Sequence, residues 1–149
     1  MKRALTIVLC LALLLGLAGC AITTGPGGAD EEQYEDYIVV GFSQVGAESD
    51  WRAANTVSML GALAETNGYK LIFDDGQQKQ ERQITAIRNF IHQEVDYIVL
   101  APTTETGWDT VLQEAKAVGI PVIIVDRMIE VSDDSLFSCW VGSDFRKEG

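Results

Sequence analysis

Four short runs of β-branched and aromatic residues, spread over residues 37–125 with helical periodicity between them, constrain this chain more than any other feature. They are residues 37–42 (YIVVGF), 70–73 (KLIF), 96–100 (DYIVL) and 121–125 (PVIIV). Each is continuously apolar at its centre rather than alternating, which is the pattern of a strand covered on both faces, as in parallel sheets. In the first interval Val57, Leu60, Gly61 and Ala64 share one helical face before a stop at Asn67-Gly68. Ile84, Ile87, Arg88 and Ile91 share one in the second; Trp108, Val111, Leu112, Ala115 and Val118 do so in the third, which closes at Gly119 and Pro121. With a last short strand expected near residues 136–142, the order predicts an α/β fold, a doubly wound parallel sheet with right-handed crossovers, over residues 37–149.

In such sheets ligands sit outside the carboxyl ends of the strands, near the point where strand order reverses. The informative residues are therefore 43–52, 74–78, 101–108 and 126–127. After the first strand, Gly41-Phe42-Ser43-Gln44-Val45-Gly46 lacks both the spacing of a dinucleotide loop and the Gly-Lys-Ser/Thr of a phosphate loop. Serine hydrolysis needs a Gly-x-Ser-x-Gly elbow and a histidine base. The single histidine, His92, falls late in the second helix and reads as a solvated or half-buried helix residue. Asp74 and Asp75 are neighbours that point apart if extended, unlike a glycosidase pair. Cys139, after Leu136-Phe137-Ser138, reads as a buried, inert strand thiol. No catalytic residue is assigned, and enzymatic function has no support in the residues.

Charge excludes another class. Lys and Arg total 11 against 22 Asp and Glu, and a net charge of -11 repels polyanions, so no nucleic-acid partner is expected. Cys10, Cys20 and Cys139 lack the paired short spacings of a zinc site, so neither a metal nor a cofactor is implied.

The loops do hold a set suited to a polyhydroxyl ligand: Glu48, Trp51 and Arg52 after the first strand, Asp126 and Arg127 after the fourth. A carboxylate accepts from two sugar hydroxyls, a guanidinium donates to ring and hydroxyl oxygens, and an indole covers the apolar C–H face. Read from the residues alone, this account stands beside a second, in which Asp126-Arg127 is a surface ion pair and Trp51 a core residue at the start of the first helix.

The amino terminus reads as an address. Met1-Lys2-Arg3 is a short basic start, residues 4–16 are almost unbroken apolar sequence, and the run is too short for a comfortable membrane span. Leu17-Ala18-Gly19-Cys20 resembles the lipobox of bacterial lipoproteins. That resemblance implies cleavage after residue 19, a diacylglycerol on Cys20 and an extracytoplasmic protein held to the membrane by its lipid. Residues 20–36, rich in Gly, Thr and acidic side chains, read as a flexible tether.

Four segments carry a wider resemblance: GFSQVGAESDWRAAN, DDGQQKQERQITAIRNFI, DYIVLAPTTETGWDTVLQEAKAVGIPVIIVDR and WVGSDFRKEG. Residues 37–149 resemble the amino-terminal lobe of periplasmic sugar-binding proteins that feed ABC importers, and the first two loops resemble the galactofuranose-binding branch in particular. The resemblance implies a type I periplasmic-binding-protein lobe that captures a monosaccharide for ABC permease subunits. It implies sugar contacts from Asp126 and Arg127, and polar and stacking contacts from Glu48, Trp51 and Arg52, with Ser49, Asp50, Ser43 and Gln44 beside them. Ala101-Pro102 stands where the ribose-binding group has an asparagine, which argues against ribose. Such proteins have two lobes and this chain stops at Gly149, so a single lobe with weak sugar binding and an open apolar surface is expected. Two other readings share the fold. One is a sugar sensor that presents its ligand to a membrane receptor or histidine kinase; the other, a LacI-like repressor domain, conflicts with the export signal.

Overall fold

The computed structural model describes residues 37–143. The expected signal segment 1–19, Cys20, the tether 20–36 and the closing residues 144–149 lie outside the described residues. Five strands, β1 (Ile38–Gln44), β2 (Tyr69–Asp75), β3 (Tyr97–Leu100), β4 (Val122–Val125) and β5 (Cys139–Val141), form one sheet in the order β2-β1-β3-β4-β5. Every pairing is parallel. Among the described residues three helices, α1 (Asp50–Ala62), α2 (Gln80–His92) and α3 (Asp109–Ala117), supply the first three crossovers, and the fourth, from β4 to β5, contains only a short 3-10 turn at Asp134–Leu136. From β1 the chain steps to β2 on one side, then returns to β3, β4 and β5 on the other, so strand order reverses beside β1. The α/β, doubly wound parallel reading of the sequence describes this sheet.

Alternation along the strands divides the core in two. Ile98, Leu100, Val122 and Ile124 pack with Ala86, Ile87 and Phe90 of α2 and with Trp108, Val111, Leu112 and Ala115 at and within α3. Val40, Phe42, Val99 and Ala101 form the second cluster, against which Met59 and Leu63 lean from the other side. Gly41 lets α2 settle on the sheet: a Cβ there would lie 2.5 Å from Phe90 Cγ. Trp108 is fully buried and its Nε1 donates to Thr104 O at 2.9 Å, so the indole closes the start of α3 without an unpaired donor.

Four expectations need correction. Val118 does not join the buried face of α3; it is the exposed residue just past the helix end at Ala117. Val57, Leu60, Gly61 and Ala64 do not form the inner face of α1; Val57 and Leu60 are exposed, and the helix turns Arg52, Asn55, Thr56, Met59 and Leu63 inward. The polar members of that stripe bond to the end of β1, a gain that an apolar-periodicity reading leaves out. In α2 the buried set is Gln83, Ala86, Ile87 and Phe90, while Arg88 lies outside, paired with Glu114 at 2.7 Å. Cys139 is exposed rather than buried. Its strand is an edge strand, and Cys139 stands in register with Ile123 on the α1 side, where β4 and β5 have no helix over them among the described residues. On that side an open apolar groove of about 370 Å³ runs between α1 and the sheet, lined by Val40, Met59, Leu63, Val99, Ile123 and Val125 among others.

Candidate ligand-binding site

Strand exits place the candidate residues. Ser49 ends the β1–α1 loop as the N-cap of α1, its Oγ accepting from Arg52 N at 3.3 Å, and Asp50 occupies the first turn, where a negative charge suits the helix dipole. One turn in, Arg52 is 5% exposed. Its Nε lies 2.5 Å from Glu48 Oε1 and its Nη2 lies 2.8 Å from Asp126 Oδ2. Nη1 also donates to Gln44 Oε1 at 3.4 Å. Gln44 is held in turn, because its Nε2 donates to Asn55 Oδ1 at 2.9 Å and to Thr56 Oγ1 at 3.3 Å. A buried guanidinium thus joins the loop after β1 to the loop after β4.

Asp126 meets Arg52 in a strained conformation. Its φ of 69° lies in the left-handed region, and β5 holds it there: Asp126 N donates to Val141 O at 2.9 Å and Asp126 O accepts from Trp140 Nε1 at 3.2 Å. Oδ2 is ion-paired with Arg52 but has no hydrogen-bond partner among the described residues, which leaves the buried oxygen acceptor capacity. Strain, burial and spare acceptor capacity coincide on one carboxylate at a strand exit. The adjoining loop after β2 is also strained, at Gln77 and Gln78, with φ 49° and 58°.

Glu48, Arg52 and Asp126 are therefore brought together, with Trp51 beside them. The Trp51 indole is 56% exposed, and the Arg52 guanidinium carbon lies 5.6 Å from its ring centroid. This removes the core-tryptophan account. The surface ion pair of Asp126 with Arg127 is removed too, because Asp126 pairs with Arg52 while exposed Arg127 reaches Thr103 O at 3.5 Å. Ser49 and Asp50 sit at the cap, and Gln44 braces Arg52. Ser43 is fully buried; its carbonyl accepts from Ala101 N at 2.9 Å and its Oγ has no partner. His92 is exposed at the last residue of α2, which runs away from the strand exits, so it is remote from this cluster. Asp74 and Asp75 diverge as expected: Asp75 Oδ1 accepts from Gln77 N at 2.9 Å, whereas Asp74 Oδ1 is buried without a partner. Burial is the chief reason the Asp74 carboxyl titrates above its ordinary range, with Arg82 opposing and Asp75 adding to the shift.

Sequence reasoning missed three residues that shape this edge: Gln83, Thr103 and Trp140. Gln83 is fully buried in the first turn of α2, where it bonds to the exits of β1 and β3. A polar residue inside an apolar helical stripe was the available signal.

Residues 40–149 match the family described as periplasmic binding protein domain. The galactofuranose-binding protein YtfQ of Escherichia coli (strain K12) is 52% identical over 112 residues, covering 75% of this chain and 35% of that protein. A solved periplasmic binding component of the arabinose ABC transporter of Shewanella sp. ANA-3, bound to α- and β-L-arabinofuranose, is 55% identical with a TM-score of 0.70, covering 74% of this chain and 36% of that one. A Mycobacterium smegmatis structure in complex with β-D-fucofuranose is 50% identical with a TM-score of 0.71, covering 74% and 36%. The chain spans about a third of the length of these relatives.

Proposed function

The chain belongs to the periplasmic binding protein domain family, and from that premise we propose that it captures a monosaccharide in furanose form, without turning it over, for an ABC importer. The observation that carries this reading is the Glu48–Arg52–Asp126 cluster at the switch point of the sheet, with the exposed Trp51 indole against its guanidinium. Two carboxylates joined by a buried guanidinium are already oriented, so a sugar's hydroxyls meet fixed acceptors and donors rather than mobile ones. The indole supplies the apolar surface that a sugar's C–H face needs. Arg127, exposed at the same edge and held toward Thr103 O, presents its remaining guanidinium donors to a bound sugar. Relatives that bind galactofuranose, arabinofuranose and fucofuranose support the ring form.

The same reading includes export and anchoring: residues 1–19 removed, Cys20 acylated, residues 20–36 a tether and 37–149 the binding lobe. Two acyl chains at ~0.8 kcal/mol per buried CH₂ anchor a protein that one chain would hold only marginally. Cys20→Ala then releases the processed protein from membranes in a fractionation with lipid labelling. A sensor that hands its sugar to a receptor or histidine kinase would use the same cluster; permease and ATPase genes beside this one favour import, a kinase gene favours sensing.

Binding itself is tested by calorimetry with a sugar panel, in the longest form that the reading frame encodes. Truncating one member of a desolvated charged set costs about 2–5 kcal/mol. Asp126→Ala should therefore weaken binding at least thirtyfold, and Arg127→Ala should weaken it as well, whereas His92→Ala should leave it unchanged. Undiminished affinity in Asp126→Ala would remove the proposed site.

A further inference from the structure

We propose that Gln83 is the positioning residue of the binding edge, a buried carboxamide that clamps the exits of β1 and β3 and through Thr103 sets the place of Arg127. The proposal rests on the sugar-binding reading for its effect on affinity, but the clamp itself is independent of it. Gln83 Nε2 donates to Ala101 O at 2.7 Å and to Ser43 O at 3.4 Å. Its Oε1 accepts from Thr103 N at 2.9 Å and from Thr103 Oγ1. Two donors and two lone pairs are the whole capacity of a carboxamide, and all are used.

Burial makes this arrangement informative. Gln83 is 0% exposed within a helix stripe otherwise made of Ala86, Ile87 and Phe90. A leucine would fill similar space with no polar group to desolvate. What the amide adds is a fixed spacing between two strand exits that lie on either side of the switch point. Its stem also packs against the exit of β2, where a Cβ on Gly76 would lie 2.7 Å from Gln83 Cγ. Thr103 carries the constraint onward, since its carbonyl accepts from Arg127 Nη1 at 3.5 Å. On the other side of β1, Gln44 follows Ser43 and holds Arg52. One side chain that reaches no ligand thereby fixes the two strand exits from which Gln44 holds the Arg52 guanidinium and Thr103 holds that of Arg127.

The test compares Gln83→Leu with Ile87→Val, a core change on the same helix, in the longest form that the reading frame encodes. Urea unfolding gives stability, amide hydrogen exchange at Thr103 reports the clamp without sugar, and titration with D-galactose and L-arabinose, which supply furanose forms in solution, reports affinity. Gln83→Leu should accelerate Thr103 exchange and weaken binding about tenfold or more, whereas Ile87→Val should do neither even where it destabilises as much. Because Gln83 acts through Arg127, adding Gln83→Leu to Arg127→Ala should cost less than the two single losses combined. Unchanged Thr103 exchange, equal losses in the two helix variants, or full additivity would overturn the proposal. If Gln83→Leu fails to fold, Thr103→Ala removes the hydroxyl from the other side of the clamp and is held to the same criteria. If the unaltered protein binds neither sugar, the functional reading fails, and Thr103 exchange alone decides the clamp.

Discussion

Helices α1 and α2 each have 13 residues and lie on opposite faces of one sheet, yet they are held by different physics. α2 buries Ala86, Ile87 and Phe90 around the single amide of Gln83, so its attachment is a hydrophobic core with one polar clamp. α1 fully buries only Arg52 and is fastened by that guanidinium to Glu48, Asp126 and Gln44, with Met59 and Leu63 half-buried below. The apolar side supplies stability and needs no ligand. The polar side is assembled from the residues proposed to touch the ligand, so its attachment and its function draw on the same groups.

That contrast breaks most severely at Phe90. Phe90 covers Gly41 and is 2% exposed, and truncation of a buried phenylalanine costs about 3–5 kcal/mol. Phe90→Ala should lower the urea midpoint more than any single change in α1. Met59→Ala, made at a half-buried position beside the open groove, should cost clearly less. Equal losses would mean that the two faces are held alike.

Arg52→Met comes next. Breaking a buried ion pair by removing one partner costs about 3–5 kcal/mol, but Glu48 and Asp126 keep 30% and 16% of their side-chain surface, so water compensates part of the loss and about 1–3 kcal/mol is expected. The loss should be local. Amide exchange should accelerate along α1 and leave α2 protected, because the apolar face does not depend on the pair. Uniform acceleration over both helices would show that the sheet unfolds as one unit and that the distinction between faces has no energetic content.

The same distinction explains what the sequence reveals. Strands β1 to β4, their parallel order and the approximate span of each helix follow from continuous apolar runs and helical spacing, because these elements are built by burial of apolar surface. The inner face of α1 does not follow. Its stripe is Arg52, Asn55, Thr56, Met59 and Leu63, three of them polar, and their partners Gln44 and Asp126 lie 8 residues before and 74 residues after Arg52. The candidate residues are legible by type and by their place after strands; the choice of Arg52 rather than Arg127 as the partner of Asp126 is not, because it depends on the strained turn that β5 imposes. Gln83 is hidden for a similar reason, since a glutamine's meaning depends on which carbonyls it reaches.

Asp74 is a polar fault on the apolar side, and it gives the comparison a pH axis. It stands opposite Ser43 in the register and borders α2, with Arg82, Thr85 and Ala86 around it. Its folded pKa is raised, chiefly by burial, so the native state holds this proton more tightly than the unfolded chain does. The group's ionisation therefore lowers stability as pH rises from the ordinary carboxylate value of 3.8 through the raised value, and the penalty persists above it. Asp74→Asn should stabilise the protein near neutral pH, and the gain should vanish as pH falls below the ordinary value. Denaturation midpoints of both forms across that window decide it; a gain that does not change with pH would assign the effect to packing instead of charge.

The smallest expected effect bears most directly on how α1 is attached. Val57 and Leu60 carry the helical spacing of a buried face, yet they are 69% and 47% exposed, because turning them inward would turn Arg52, Asn55 and Thr56 outward. That rotation would separate Arg52 from Asp126 and strip Gln44 Nε2 of its acceptors Asn55 and Thr56, leaving a buried amide donor unpaired at about 1–3 kcal/mol while Oε1 keeps Val45 N. The half-exposed apolar surface gained in exchange would be offset by loss of Met59 and Leu63 from the groove. Leu60→Ala and Val57→Ala should therefore change stability by no more than about 0.5 kcal/mol, as surface substitutions do, where a buried leucine would cost about 2–5 kcal/mol. Paired with Arg52→Met, the same substitutions become sharper: with the polar bonds gone, α1 has less reason to keep its rotation, and Leu60→Ala should then cost more than it does alone. A cost that is the same in both backgrounds would show that α1 keeps its orientation without Arg52, and that the apolar contacts of Met59 and Leu63 suffice to set it.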